Sequence, residues 1–196
     1  MHLEHPVADS NAMRSSLAIL QGEHASYGAA LKTLLAHLKR ARAHSFMPNL
    51  EIFTVGLSYI DTFIEKFHHP KEDEFLFPAL RQRTDEADEV MRELQFDHTN
   101  GTLALKELDA ALDHVHLGGL NELHSFADRM ERYTQAQYAH MEREESLVLP
   151  IARRFLVEDD WIKVERGFRA NRDPLFGAEG NRKFGILFRS VKQVVE

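Results

Sequence analysis

The sequence predicts an all-α protein: an up-down-up-down four-helix bundle with a short fifth helix and a C-terminal extension. Three observations lead there. Apolar residues recur at three- and four-residue spacing over long stretches, the signature of amphipathic helices, while alternating strand patterns are almost absent. The breaks between those stretches are short, which favours antiparallel neighbours. The second half of the chain also repeats the first.

The first helix is expected from about Asn11 to Ala43, with Met13, Leu17, Leu20, Leu31, Leu34 and Leu38 on one stripe. "SFMPN" breaks it, and Pro48 suits the start of a second helix running to about Gln82, with Phe53, Leu57, Ile60 and Ile64 inward. The acids of "RTDEADE" suit the start of a third helix, which ends near Val115 before Gly118-Gly119. The fourth is expected from about Leu120 to Phe155, with Leu123, Phe126, Met130, Tyr133, Leu147 and Ile151 on its stripe. A short helix over about Asp159–Ala170, an ordered loop "NRDPLFGAEGNRKFG" tucked on the bundle and a last helix over about Ile186–Val195 complete the chain. The implied organisation is a tail over 1–10, a bundle over 11–156 and a packed extension over 157–196.

Length and composition bound the function. A chain of 196 residues, 43% hydrophobic and 28% charged, suits one soluble domain. A net charge of −7 argues against a nucleic-acid or membrane-surface binder. The local basic excess over 161–196 reads as a solvated face. The absence of cysteine excludes disulfides, thiolate metal sites and cysteine nucleophiles. With no apolar run of membrane length and a polar N-terminus, a cytoplasmic protein is expected.

The unusual number is twelve histidines, and the repeat sorts them. Shifted by 72 residues, "FHHPKEDEFLFPAL" lies over "AHMEREESLVLPIA". His68 then meets His140, Glu72 meets Glu144, Pro78 meets Pro150, Lys71 meets Arg143 and Asp73 meets Glu145. Shifted by 74, "QGEHASYGAAL" lies over "QFDHTNGTLAL", pairing His24 with His98 and Glu23 with Asp97. In His68-xxx-Glu72 and His140-xxx-Glu144 the four-residue spacing puts both side chains on one helix face. Counted from the break near residue 46, His24 and His68 are each 22 residues away, or roughly 33 Å along the helices. Counts from the breaks near 84 and 118 place His98 and His140 at the same level.

Four imidazoles and two carboxylates at one level of a core are costly unless something satisfies them, and two buried carboxylates repel without a cation between them. A metal pair answers both demands. The donor set suits two iron or manganese ions better than magnesium or calcium, and zinc, which prefers closed tetrahedral sites, fits less well. The candidate ligands are His24, His68, Glu72, His98, His140 and Glu144. The competing reading is a hydrogen-bonded His/Glu network without metal.

Other polar residues are sorted by position. His37, His44, His114, His116 and His124 lie about 20–30 Å from the site along their helices and are expected on the surface, with His2 and His5 in the tail. Tyr27, three residues after His24, could serve as a hydrogen-bond donor to the ligands, as a ligand, or as ordinary core. His69 aligns with Met141, and a turn of about 100° from His68 is expected to point it away. Asp73 and Glu74 are expected in solvent. Pro70 removes a helical N–H and is expected to kink the helix locally.

The order His24, His68-xxx-Glu72, His98, His140-xxx-Glu144 resembles the hemerythrin-like (HHE cation-binding) domain, and "HHPKEDEFLFPAL" and "HMEREESLVLP" are similar to its two signature segments. "YIDTF" and "ANRDPLFG" resemble bacterial members, so the similarity covers about Ser16 to Gly177. It implies a non-haem centre of two iron ions with carboxylate bridges and an oxo or hydroxo bridge, binding or reacting with a small diatomic or peroxide ligand: O2, peroxide or NO. Oxygen-carrying members have a fifth histidine, but Leu94 and Thr102 stand four residues either side of His98, which argues against reversible O2 carriage. The four-His, two-Glu set resembles proteins of oxidative or nitrosative stress and iron-centre repair, although those also carry a cysteine-containing domain. The rival is a non-catalytic sensor, carrier or storage module. No side chain stands out as an acid–base catalyst, a homodimer is admitted, and no protein partner is indicated.

Overall fold

The computed structural model describes residues 10–175 and 184–195. The expected N-terminal tail, apart from Ser10, and residues 176–183 of the expected loop lie outside the described residues. Those described form an all-helical structure of six helices. Helix α1 is Asn11–His44, α2 covers 51–81, α3 is Asp88–Gly118, α4 covers 120–155, α5 is Glu158–Arg169 and α6 is Gly185–Val195.

Local chemistry sets the boundaries. The Ser10 hydroxyl accepts the Met13 N–H at 3.1 Å and caps α1. That helix ends at Ser45, which adopts the left-handed conformation (φ 50°). Gly119 joins α3 to α4 at φ 66°, ψ −142°, a conformation open essentially only to glycine. The Asp160 carboxylate accepts the Val157 N–H at the start of α5 and also takes two bonds from the Arg83 guanidinium, at 2.7 and 3.1 Å. That bidentate pair ties the end of α2 to α5.

Helices α2 and α4 are not uniform. In α2 the spans Ile60–His68 and Glu72–Leu76 are wound as π-helix, and in α4 the span Glu144–Val148 is. Phe77 and Leu149 each donate to the carbonyl five residues back, on Glu72 and Glu144. Pro78 and Pro150 follow immediately, so the widened turn recurs with the repeat where the chain lacks an N–H. A longer π span precedes Pro70, and the departure from helical geometry expected at His69 is not seen. His69 keeps helical angles (φ −56°, ψ −43°), and its N–H reaches Ile64 five residues back.

The apolar interior is two clusters. One gathers Tyr27, Leu31, Leu34 and Leu38 of α1 with Phe53, Ile60 and Phe63 of α2, Leu105 and Leu112 of α3, and Phe126 and Met130 of α4. Leu175, Phe184, Leu187 and Val191 join it, so the C-terminal segment covers that end. The other gathers Met13, Leu17, Leu20, Leu76, Phe77, Met91, Leu94, Val148 and Leu149 with Trp161 and Phe168 of α5. On each of the four long helices the candidate ligands fall where the two clusters meet.

One expected core position is corrected. Leu147 is 48% exposed, whereas Val148 is fully buried. The π turn that starts at Glu144 delays the inward stripe by one residue, and Val148 takes the place that regular periodicity assigns to Leu147.

Candidate metal centre

The six residues selected by the repeat are all buried and converge. His68 Nε2 is 2.9 Å and His98 Nε2 3.2 Å from the two oxygens of Glu72, while His24 Nε2 is 3.1 Å from Glu144 and 3.8 Å from Glu72. Three overlapping groups have ligand atoms within 4.8 Å of one another: His24, His68 and Glu72; Glu72, His140 and Glu144; and His69, His98 and His140. Glu72 and His140 each belong to two groups.

The inward-facing atoms lack ordinary partners. Nε2 of His24, His98 and His140 and both oxygens of Glu72 and Glu144 are buried without a hydrogen bond. Several approach one another within ion-pair distance but are misaligned for hydrogen bonding. This contrasts with the network expected of a metal-free core, where buried donors and acceptors are satisfied. Electrostatics points the same way. Burial and the neighbouring Glu72 charge hold the Glu144 carboxyl above the usual range. At Glu72 burial opposes ionisation, but the surrounding imidazoles, His68 foremost, outweigh it and hold its carboxyl well below that range. Burial likewise opposes charge on His98, yet the neighbouring Asp73 and Glu72 carboxylates raise it to about 10. Without metal, protons on imidazole play the part of the missing positive charge.

The outer nitrogens are tied down in a closed cycle. Glu23 of α1 accepts from His68 Nδ1 of α2 at 2.8 Å. Asp73 of α2 accepts from His98 Nδ1 of α3 at 2.9 Å. Asp97 of α3 lies 3.5 Å from His140 Nδ1 of α4, and Glu145 of α4 accepts from His24 Nδ1 of α1 at 2.8 Å. A carboxylate on Nδ1 fixes the tautomer and turns a free Nε2 inward, which is how metal-binding histidines are ordinarily held. Two cations support the cycle: Lys71 donates to Glu23 at 2.6 Å, and Arg143 pairs with Asp97. Lys71 is itself buried, with the Phe63 and Phe168 rings each 5.3 Å from its ammonium.

Two sequence expectations fail here. Asp73 is not a solvated acid: its side chain is one-third exposed and holds His98. His69 does not point away. It is 3% exposed, its ring stacks on that of His98 at 4.1 Å, and the His140 ring is 5.3 Å off. A buried helical stripe is itself about 100° wide or more, so one residue's turn does not leave it. Met141, at the matching position, is buried too. Glu74 is exposed, as expected. The Tyr27 hydroxyl bonds that of Tyr133 at 2.9 Å. The histidines expected on the surface in α1, α3 and α4 are exposed or half-buried and enter none of the three groups.

Sequence reasoning overlooked Glu23, Asp97 and Glu145, yet the repeat carried the signal. Glu23 aligns with Asp97, Asp73 with Glu145 and Lys71 with Arg143, each beside a candidate ligand in the chain. A groove of about 850 Å³ between α1 and α4 reaches the centre at His24 and is lined also by Tyr138, Met141 and Glu145; one of about 220 Å³ between α3 and α4, lined in part by Asp97, Gly101, Tyr133 and Gln137, reaches only the outer carboxylate Asp97.

Residues 30–152 match the model of the Hemerythrin HHE cation binding domain. That stretch contains five of the six candidate ligands; His24 precedes it by six residues and joins them through its contacts. No curated protein and no solved structure matches the chain.

Proposed function

Because the chain belongs to the hemerythrin HHE cation-binding family, we propose that its core holds two iron ions and that they bind or react with O2, peroxide or NO. The observation that carries this reading is the set of inward imidazole nitrogens and carboxylate oxygens that are buried without hydrogen-bond partners. His24, His68, His98 and His140 would supply the nitrogen ligands, and Glu72 and Glu144, each near more than one imidazole, the carboxylate ligands. The donor set suits iron, with manganese and zinc less well matched. Bound there, two irons supply electrons to, or take them from, a small ligand.

The chain's own residues do the rest. Glu23, Asp73, Asp97 and Glu145 fix the tautomer and orientation of the four histidines. The apolar clusters on either side exclude bulk water. The groove beside His24 admits a molecule of diatomic size. The alternation of the two clusters along successive helices supports an up-down-up-down four-helix bundle over 11–156, with 157–196 packed on it. No helix among the described residues is long and apolar enough to cross a membrane; we place the protein in the cytoplasm, without a nucleic-acid partner.

The test is anaerobic loading with Fe(II), metal analysis, and then addition of O2, H2O2 or NO under an absorption spectrometer. The expected result is near two irons per chain, lost in His68→Ala and Glu144→Ala. Metal-free protein that takes up no iron would sink the reading. An adduct reversed by purging assigns a carrier or sensor, whereas continuing consumption of the added ligand assigns an enzyme.

A further inference from the structure

We propose that His69 is a fifth imidazole ligand, completing a three-histidine end of the centre with His98 and His140, opposite a two-histidine end made by His24 and His68. This rests on the metal reading above and assigns a donor that the repeat does not supply.

The argument has three parts. First, His69, His98 and His140 each offer a ring nitrogen, and these lie within 4.8 Å of one another with all three residues buried. Three imidazoles so close are unfavourable without a shared partner, because neither cations nor lone pairs gain from facing each other. Second, His69 has the outer arrangement of the other four. Its Nδ1 lies 3.5 Å from a carboxylate oxygen of Glu65, one turn earlier on α2. Glu65 is in turn fixed by the Thr102 hydroxyl, which donates to it at 2.7 Å. All five imidazoles of the centre therefore face a carboxylate through Nδ1. Third, Thr102 stands one turn after His98, where an extra histidine would arise on α3. Here that position positions Glu65, and the additional imidazole arrives from α2.

The test is anaerobic Co(II) titration of wild-type protein, His69→Ala and His69→Phe, read by metal affinity and by the visible spectrum of the bound Co(II). The phenylalanine keeps a ring against His98 but offers no donor. Circular dichroism verifies that each variant is folded. Expected is a loss of about tenfold or more in affinity for one of the two equivalents in both variants, with the other unchanged. The Co(II) spectrum changes with it, and millimolar imidazole restores both in His69→Ala alone. Wild-type affinity and spectrum in His69→Ala overturn the proposal and leave the metal centre standing. So does an affinity loss that imidazole does not relieve and that His69→Phe does not share, which assigns His69 to packing. A wild-type protein that takes up no Co(II) overturns the centre itself and His69's part in it.

Discussion

Asp73 Oδ2 lies 2.9 Å from His98 Nδ1, so an acid that follows Glu72 in the chain orients a histidine on the next helix. The same relation holds from Glu23 to His68 and from Glu145 to His24, and more loosely from Asp97 to His140. Each long helix thus contributes candidate ligands to the centre and the carboxylate that aligns a ligand on its neighbour. If the centre holds metal as proposed, this cycle couples metal affinity to helix register.

Asp73→Asn should therefore weaken metal binding without unfolding the protein. The expected loss is about 10–100-fold in affinity, the ordinary effect of removing a carboxylate behind a ligating histidine. Competition with a chelator measures it. An unchanged affinity would separate the cycle from metal binding.

Glu23 has a second duty, since it also holds the buried Lys71 ammonium at 2.6 Å. Glu23→Ala leaves that charge without its partner and should cost about 3–5 kcal/mol of stability. The double variant Glu23→Leu with Lys71→Leu removes both charges and should be less damaging than Glu23→Ala. Urea unfolding of the metal-free proteins decides between them.

The metal-free protein should lose stability as pH rises. The carboxylates around His98 raise it to about 10 in the folded state despite burial, against about 6.5 in the unfolded chain. A raised folded value contributes stability that is fully present below the unfolded value and is lost as pH climbs through the folded one. The decline is thus expected between about pH 6.5 and 10. Metal replaces those protons, so the loaded protein should be flatter over the same range and should bind metal more tightly as pH rises. Urea midpoints with and without metal at about pH 6, 8 and 10, which span that window, give the comparison; equal slopes would contradict it.

Gly167 of α5 has no room for a side chain. A Cβ there would fall 2.4 Å from Cγ and Cδ2 of the Phe75 ring, beside the π turn that follows Glu72. Gly167→Ala should cost about 1–3 kcal/mol through overpacking. Differential scanning calorimetry would register this as a lower Tm, and a Tm equal to wild type would mean that α5 moves aside freely.

Much of this protein is legible in its sequence. Helical periodicity and the short breaks give the long helices to within a few residues, and the repeat selects His24, His68, Glu72, His98, His140 and Glu144, which the structure brings together. That information is local: spacing along one helix, and a count of residues from each turn. It carries no account of which side chain on one helix meets which on the next. Asp73 reads as solvated until α3 is beside it, and His69 reads as outward until the width of the buried stripe is known. Leu147 reads as core until the π turn at Glu144 rotates Val148 into its place. Tertiary packing decided these three, because helix width and inter-helix contact depend on all four helices together, whereas periodicity describes one helix at a time.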